Sequence, residues 1–317
     1  MPVAVSYPGI YIEEVPSPVR TITGVATSIT AFVGYSHPFK TPNFNTPTRV
    51  FNFSEYERAF GGLFNSSTLP NYLPYAVQQF FLNGGTDAYI VGLEAHNAVK
   101  GTATAQDSSP AIEFKALEIT TAGNPIKIRI KSGSSPAEPY DVELTYRSVT
   151  EVFRGVKSSA DPLTIGSDHI EKRINGVSTL VTVSAPATGY KVPRQYGYNS
   201  APALEITGGT AGAPAPTLSD DFADETNGKG IFALEKISLF NLLCLPGISD
   251  TTTLDRSLTY AEKRRAFVII DSAAPPQDKD AVQTQFDSLP KSANGAFYYP
   301  WLRAMDTLSN TARSFPS

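Results

Sequence analysis

The chain has 317 residues, 41 % of them hydrophobic and 18 % charged, with a formal net charge of −4. That balance supports buried cores in two or three compact units and gives the whole chain no electrostatic pull toward nucleic acid or anionic lipid. One cysteine, Cys244, excludes an intramolecular disulfide framework; no leader-like segment opens the sequence, and no apolar run is long enough to span a membrane.

Segment 5–15, VSYPGIYIEEV, reads as an extended strand with no partner next to it in sequence. Pro8-Gly9 punctuates its start. Ile10, Tyr11, Ile12 and Val15 then supply β-branched and aromatic side chains around Glu13 and Glu14. A lone terminal strand carries unpaired N–H and C=O groups on both edges. It must join a sheet of its own subunit or add to a sheet of another.

Residues 21–35 read as a central strand region, followed by a Pro/Asn loop at 36–48 and a short strand VFNF at 50–53. Ser54 is placed to cap a helix that ends at Gly61-Gly62. Pro74 marks the first turn of a second helix through Leu82, which stops at Asn83-Gly84-Gly85. DAYIVGLE at 87–94 is the next strand, so this stretch predicts an α/β layer.

From about residue 95 the composition turns to Thr, Ser, Gly, Ala and Pro. Alternating strands are expected at 112–120, 126–132 and 140–147, with strand-like pieces near 169–183 and 203–207. Together these form a β-rich insertion, and 208–230 reads as a linker back to the core. The α/β pattern returns at 231 with a short helix and a buried strand through FNLLCLPG. A helix at 255–265, the strand RRAFVIIDS, a helix at 277–288 and a strand at 295–303 follow. Glu262, Lys263, Arg264 and Arg265 are expected to be solvated, and the last dozen residues read as frayed. The predicted organisation is an arm at 1–20, core at 21–95, insertion at 96–215, linker at 216–230 and core at 231–317.

Candidate chemistry is sparse. Cys244, inside FNLLCLPG, reads as a small buried hydrophobe. Asp271 sits at the carboxyl end of a strand predicted to be parallel, where α/β enzymes place acidic groups. His37, His96 and His169 lie in no metalloprotease or nucleophile-elbow context, so Asp271 reads as a cap or a buried acceptor. The glycine pairs at 61–62, 84–85 and 208–209 match no phosphate-binding loop. Asp220, Asp221, Asp224 and Glu225 lack EF-hand spacing and read as a solvated linker. Lys263, Arg264 and Arg265 form a candidate interface patch, with Glu13 and Glu14 as its electrostatic partner. Tyr190, Tyr196 and Tyr198 offer a candidate sugar platform, weighed against a loop packing its own tyrosines. No catalytic residue, cofactor or metal ligand is assigned.

Several segments resemble the contractile tail sheath proteins of bacteriophages, R-type bacteriocins and phage-tail-like injection particles. They are YPGIYIEEVPSPVRTITGVATSITAFVGYS at 7–36, FNFSEYERAFGG at 51–62 and YAVQQFFLNGGTDAYIVGL at 75–93. FNLLCLPGISD at 240–250, YAEKRRAFVIIDS at 260–272 and GAFYYPWLRAMD at 295–306 follow in the same order. The resemblance implies an α/β core of subtilisin-like shape without a catalytic triad, interrupted by a variable outer domain. It implies a homo-oligomer of stacked six-fold rings around an inner tube protein, with baseplate and terminator partners and neither nucleic-acid binding nor membrane insertion. Such a subunit is made in the cytoplasm and assembled into the tail. By the same resemblance, Tyr7, Pro8, Gly9, Ile10, Tyr11, Ile12, Glu13, Glu14 and Val15 form an arm that completes a neighbour's sheet while the sheath contracts. Family members continue past YYPWLR into a further domain and a second arm. This sequence stops at Ser317: either the polypeptide continues beyond it, or this is a shortened form that could donate one arm but not complete a reciprocal weave. The alternative is a surface or receptor-binding module carried by the insertion.

Overall fold

The computed structural model describes residues 28–105, 112–132, 139–158, 166–185, 193–275 and 277–316. The 5–15 segment, Tyr190 and most of the 21–35 region's first half lie outside the described residues.

Strand β1, Thr30–Tyr35, is buried along its whole length. A short β2 (Thr48–Val50) precedes helix α1, Phe53–Phe60. The sequence-based strand at 50–53 and cap at Ser54 are corrected here. The strand ends at Val50, and Asn52 caps the helix by accepting the Glu55 N–H at 2.9 Å. Glu55 answers by accepting the Phe51 N–H at 2.9 Å, so two orphan donors at the helix start are satisfied. Helix α2 spans Leu73–Leu82 and ends before Gly84; β3 is Ala88–Leu93.

The β-rich half contains β4 (Thr102–Ala105), β5 (Ile112–Ala116), β6 (Ile126–Lys131), β7 (Tyr140–Tyr146) and β8 (Val149–Val156). Helix α3 (Ile170–Ile174) follows, then β9 (Val181–Ser184) and β10 (Leu204–Ile206). The stretch read as strand-like at 169–183 therefore begins as a helix. Ile170 and Ile174, four residues apart, are both fully buried, and His169 caps the turn. Strands β6 and β7 alternate buried and wetter positions. Antiparallel sheets β10-β6-β7-β8 and β4-β5-β9 bury Phe114, Ile128, Val142 and Leu144 in one shared core.

The linker expectation for 208–230 is corrected too. Residues 96–99 and 210–213 pair as an antiparallel neck through His96–Ala213 and Val99–Thr210 bridges. Helix α4, Leu218–Phe222, then packs its Phe222 into the core. After a 3₁₀ turn at Gly230–Lys236 come β11 (Leu242–Cys244), α5 (Thr251–Arg264), β12 (Phe267–Asp271), α6 (Lys279–Ser288) and β13 (Gly295–Tyr298). Asp250 caps α5 through the Thr253 N–H at 2.8 Å, which starts the helix earlier than its apolar pattern indicates.

These strands join β1–β3 in one six-stranded sheet of order β13-β12-β11-β1-β3-β2, parallel except at the β2 edge. One face carries Phe32, Ala88 and Ile90 against α1 and α2. The opposite face carries Val33, Val91, Leu243 and Val268 against Leu254 and Leu258 of α5. Burial on both faces explains the near-continuous apolar runs of β1 and β3. The architecture is mixed α/β with two further antiparallel sheets. The frayed tail is the last correction: β14 (Leu302–Asp306) and β15 (Thr311–Phe315) form an antiparallel hairpin.

Candidate functional site

At the carboxyl end of the parallel sheet, the loops after β1 and β3 meet the neck and α4. Asp221 is the fixed point there. It accepts hydrogen bonds from the Tyr35 hydroxyl, from the Ala215 N–H at 2.7 Å and from His96 Nε2 at 2.8 Å. Far from being a solvated linker group, it is 9 % exposed. Burial of the Tyr35 ring, and then its bond to Asp221, push the phenol well above its ordinary range. Asp224 stays on the surface, bonded to Asn227. A polar cleft of about 280 Å³ opens beside this cluster, lined by Asn45, Glu94, His96, Asn97 and Lys229. The His96–Asp221–Tyr35 bonds tie the neck and α4 to the end of β1. No group of three His, Cys, Asp or Glu side chains suited to a metal ion occurs among the described residues.

A second tie crosses to the β-rich half. Glu118, just beyond β5, receives Lys40 Nζ and lies 3.4 Å from His37 Nε2. The His37 N–H bond and the Lys40 charge hold the Glu118 carboxyl below its usual value despite burial.

Asp271 sits where its sequence position placed it, at the carboxyl end of β12. It is 4 % exposed, and its Oδ2 accepts the Gly247 N–H at 2.8 Å. Its Oδ1 has no hydrogen-bond partner among the described residues. Desolvation pushes its pKa up to about 6, eased only by the Gly247 bond. Cys244 is half-buried rather than fully buried, and burial plus the Asp271 charge push its thiol upward. The Asp271–Gly247 bond holds the backbone turn that follows β11.

Within the 295–315 stretch, Tyr298, Tyr299, Leu302 and Met305 are 44–61 % exposed. Strand β13 ends the six-stranded sheet, and β14–β15 stands as a separate two-stranded sheet. Asp306 organises the hairpin turn by accepting the Leu308 N–H at 2.8 Å and the Ser309 hydroxyl at 2.7 Å. Tyr75 of α2 donates to Asp306 at 2.8 Å, and Arg313 stacks over Tyr72 and Tyr75 while bonding Asn71. The alternating apolar signal was absent here because the hairpin is held by polar anchors at one side and faces solvent along the other.

The basic run divides. Lys263 and Arg265 are exposed. Arg264, expected to be solvated, turns inward instead: it donates to the Leu234 carbonyl at 3.0 Å, the Ile237 carbonyl at 2.7 Å and the Tyr260 hydroxyl at 2.9 Å. Two of the three tyrosines pack into the β-rich half, as the self-packing loop reading expects, and Tyr190 lies outside the described residues. Tyr196 is 5 % exposed and pairs its backbone with Ile130, and Tyr198 lies under Arg129 at 4.3 Å. The arm, Tyr7 to Val15, lies outside the described residues.

The solved structures that match include two sheath tail proteins. Lin1278 from Listeria innocua matches with a TM-score of 0.44 and 14 % identity, over 79 % of this chain and 49 % of that one. DSY3957 from Desulfitobacterium hafniense matches with a TM-score of 0.47 and 12 % identity, over 96 % of this chain and 59 % of that one. Both carry the name of the family that the sequence resembles. The chain spans about half to three-fifths of their length. No family model matches, and no curated protein matches.

Proposed function

We propose that this chain is a structural subunit of a contractile tail sheath, polymerising as stacked six-fold rings around an inner tube. In this reading the β-rich half at 96–215 is the outer domain and the sheet-bearing half is the subtilisin-like core. Contraction drives the tube through a target envelope, and no residue is assigned a catalytic role. Baseplate and terminator proteins bound the stack; the subunit is made in the cytoplasm and assembled into the sheath of a virion or tail-like particle.

The observation that carries this reading is the β14–β15 hairpin. A two-stranded sheet is marginal by itself and reaches independent stability with further strands. Both of its long edges are unpaired among the described residues. The sequence resemblance supplies the missing strands, an arm from each of two neighbours. Segments 51–62, 75–93, 240–250, 260–272 and 295–306, far apart in sequence, fall on the six-stranded sheet, its covering helices and this hairpin. An eight-residue arm strand is about 26 Å long at about 3.3 Å per residue, enough to reach a neighbour. Each backbone hydrogen bond adds only about 1 kcal/mol net, but repetition around a closed ring multiplies the links. Lys263 and Arg265 remain as the exposed cations that Glu13 and Glu14 of an adjacent copy would meet.

Negative-stain microscopy of the concentrated, complete gene product tests the proposal. Striated tubes or stacked rings are expected. Monodisperse monomers at every concentration would count against it.

A further inference from the structure

His37 occupies the point where the loop after β1, the carboxyl end of α1 and the β-rich half meet. Its side chain is fully buried. The Phe39 N–H donates to its Nδ1 at 3.2 Å, so the neutral ring carries its proton on Nε2. That Nε2–H points to Glu118 Oε2, 3.4 Å away. Phe64 and Phe39 wall the ring edge-on, with centroids at 5.6 and 6.1 Å. Its backbone N–H donates to the Phe60 carbonyl at 3.2 Å, which fixes it to the end of α1. There is no slack on that side: a Cβ on Gly61 would stand 2.7 Å from the His37 Cβ.

We infer that His37 is an acid-sensitive latch between the α/β layer and the β-rich half. Protonation at Nδ1 would remove the acceptor of the Phe39 N–H and place a cation between two phenyl rings, and the Lys40–Glu118 side of the joint opens as the ring leaves. The charged groups acting on the imidazole are Glu118, which favours the cation, and Lys40 on its own loop, which opposes it. Helix α1 presents its carboxyl end through the Phe60 carbonyl. Burial is the largest influence and holds His37 below the ordinary 6.5. The sign follows. The fold prefers the neutral ring, so the latch is fully closed above pH 6.5 and loses stability as pH falls below it. The Asp221–Tyr35 tie and the paired neck strands persist, so the opening is local to residues 36–41 and 112–120.

Hydrogen exchange of the whole protein between pH 7.5 and 5.0, corrected for the intrinsic exchange rate, tests the latch. In the wild type the opening constant of 112–120 should rise by up to about tenfold per pH unit below about 6.5. His37→Gln keeps an N–H for Glu118 without a titrating ring, and its profile should be flat. Glu118→Gln removes the anion that favours the imidazolium in the closed joint, so the rise should still begin near pH 6.5 but continue to lower pH, reaching at least the wild-type increase by pH 5.0. A wild type without pH dependence, or a His37→Gln variant with the wild-type profile, overturns the inference. If His37→Gln does not fold, Glu118→Gln decides: no rise, a rise between pH 7.5 and 5.0 smaller than the wild type's, or a joint already open at pH 7.5 overturns it.

Discussion

Asp271→Asn probes a carboxyl buried at the carboxyl end of β12. The wild-type group carries a pKa of about 6 against an ordinary 3.8, because burial disfavours its charge. The fold therefore prefers the neutral acid. Its contribution is largest below pH 3.8, declines as pH rises and is gone above about pH 6. A shift of about two units corresponds to about 3 kcal/mol of stability lost across that window. Asparagine keeps an oxygen for the Gly247 N–H and never ionises. Its amide adds a buried donor without a partner, a pH-independent cost of about 1–3 kcal/mol. The quantity to follow is the stability difference between variant and wild type. It should move in favour of the variant by about 3 kcal/mol between pH 4 and 6.5, then stay level. Urea unfolding read by the sole tryptophan suits the purpose, since Trp301 Nε1 donates to the Ser272 carbonyl at 2.8 Å, next door to the mutated site. A difference that does not change with pH would refute the reasoning. A turnover lost in Asp271→Asn while assembly stays intact would refute the non-catalytic reading.

Two other substitutions are diagnostic. Arg264→Ala removes three hydrogen bonds and the stack on Phe240 and Tyr260. It should destabilise by about 2–3 kcal/mol in the same urea assay, whereas Lys263→Ala should change stability by less than about 0.5 kcal/mol. Asp306→Ala strips the hairpin turn of its organising acceptor and unties it from Tyr75. Exchange protection in 302–315 should drop by at least about tenfold while β1 and β3 keep theirs, as expected when a small sheet depends on a few anchors.

The α/β layer was legible because its signals are local and redundant. Pro74, Asn83-Gly84 and the apolar runs of β1, β3 and β12 each mark one element, and the sheet confirms them. The alternating β6 and β7 were read for the same reason. The misses share a different physics. Asp221 looked solvated among neighbouring acids, but its burial is set by Tyr35, 186 positions away. Arg264 sat in a charged run, yet its guanidinium satisfies carbonyls of the turn before β11. The terminal hairpin has no apolar period because its stability comes from an aspartate-organised turn and cation–aromatic contacts on α2. Each is a long-range polar pairing, which periodicity does not encode.

The proposed weave rests on segment 7–15 of one copy pairing with the 302–315 hairpin of another. Crosslinking mass spectrometry on particles assembled from an equal mixture of light and heavy isotope-labelled protein reads this directly. Mixed-label crosslinks between 7–15 and 302–315 are the expected result. Crosslinks from 7–15 confined to same-label pairs would contradict the sheath reading at its root.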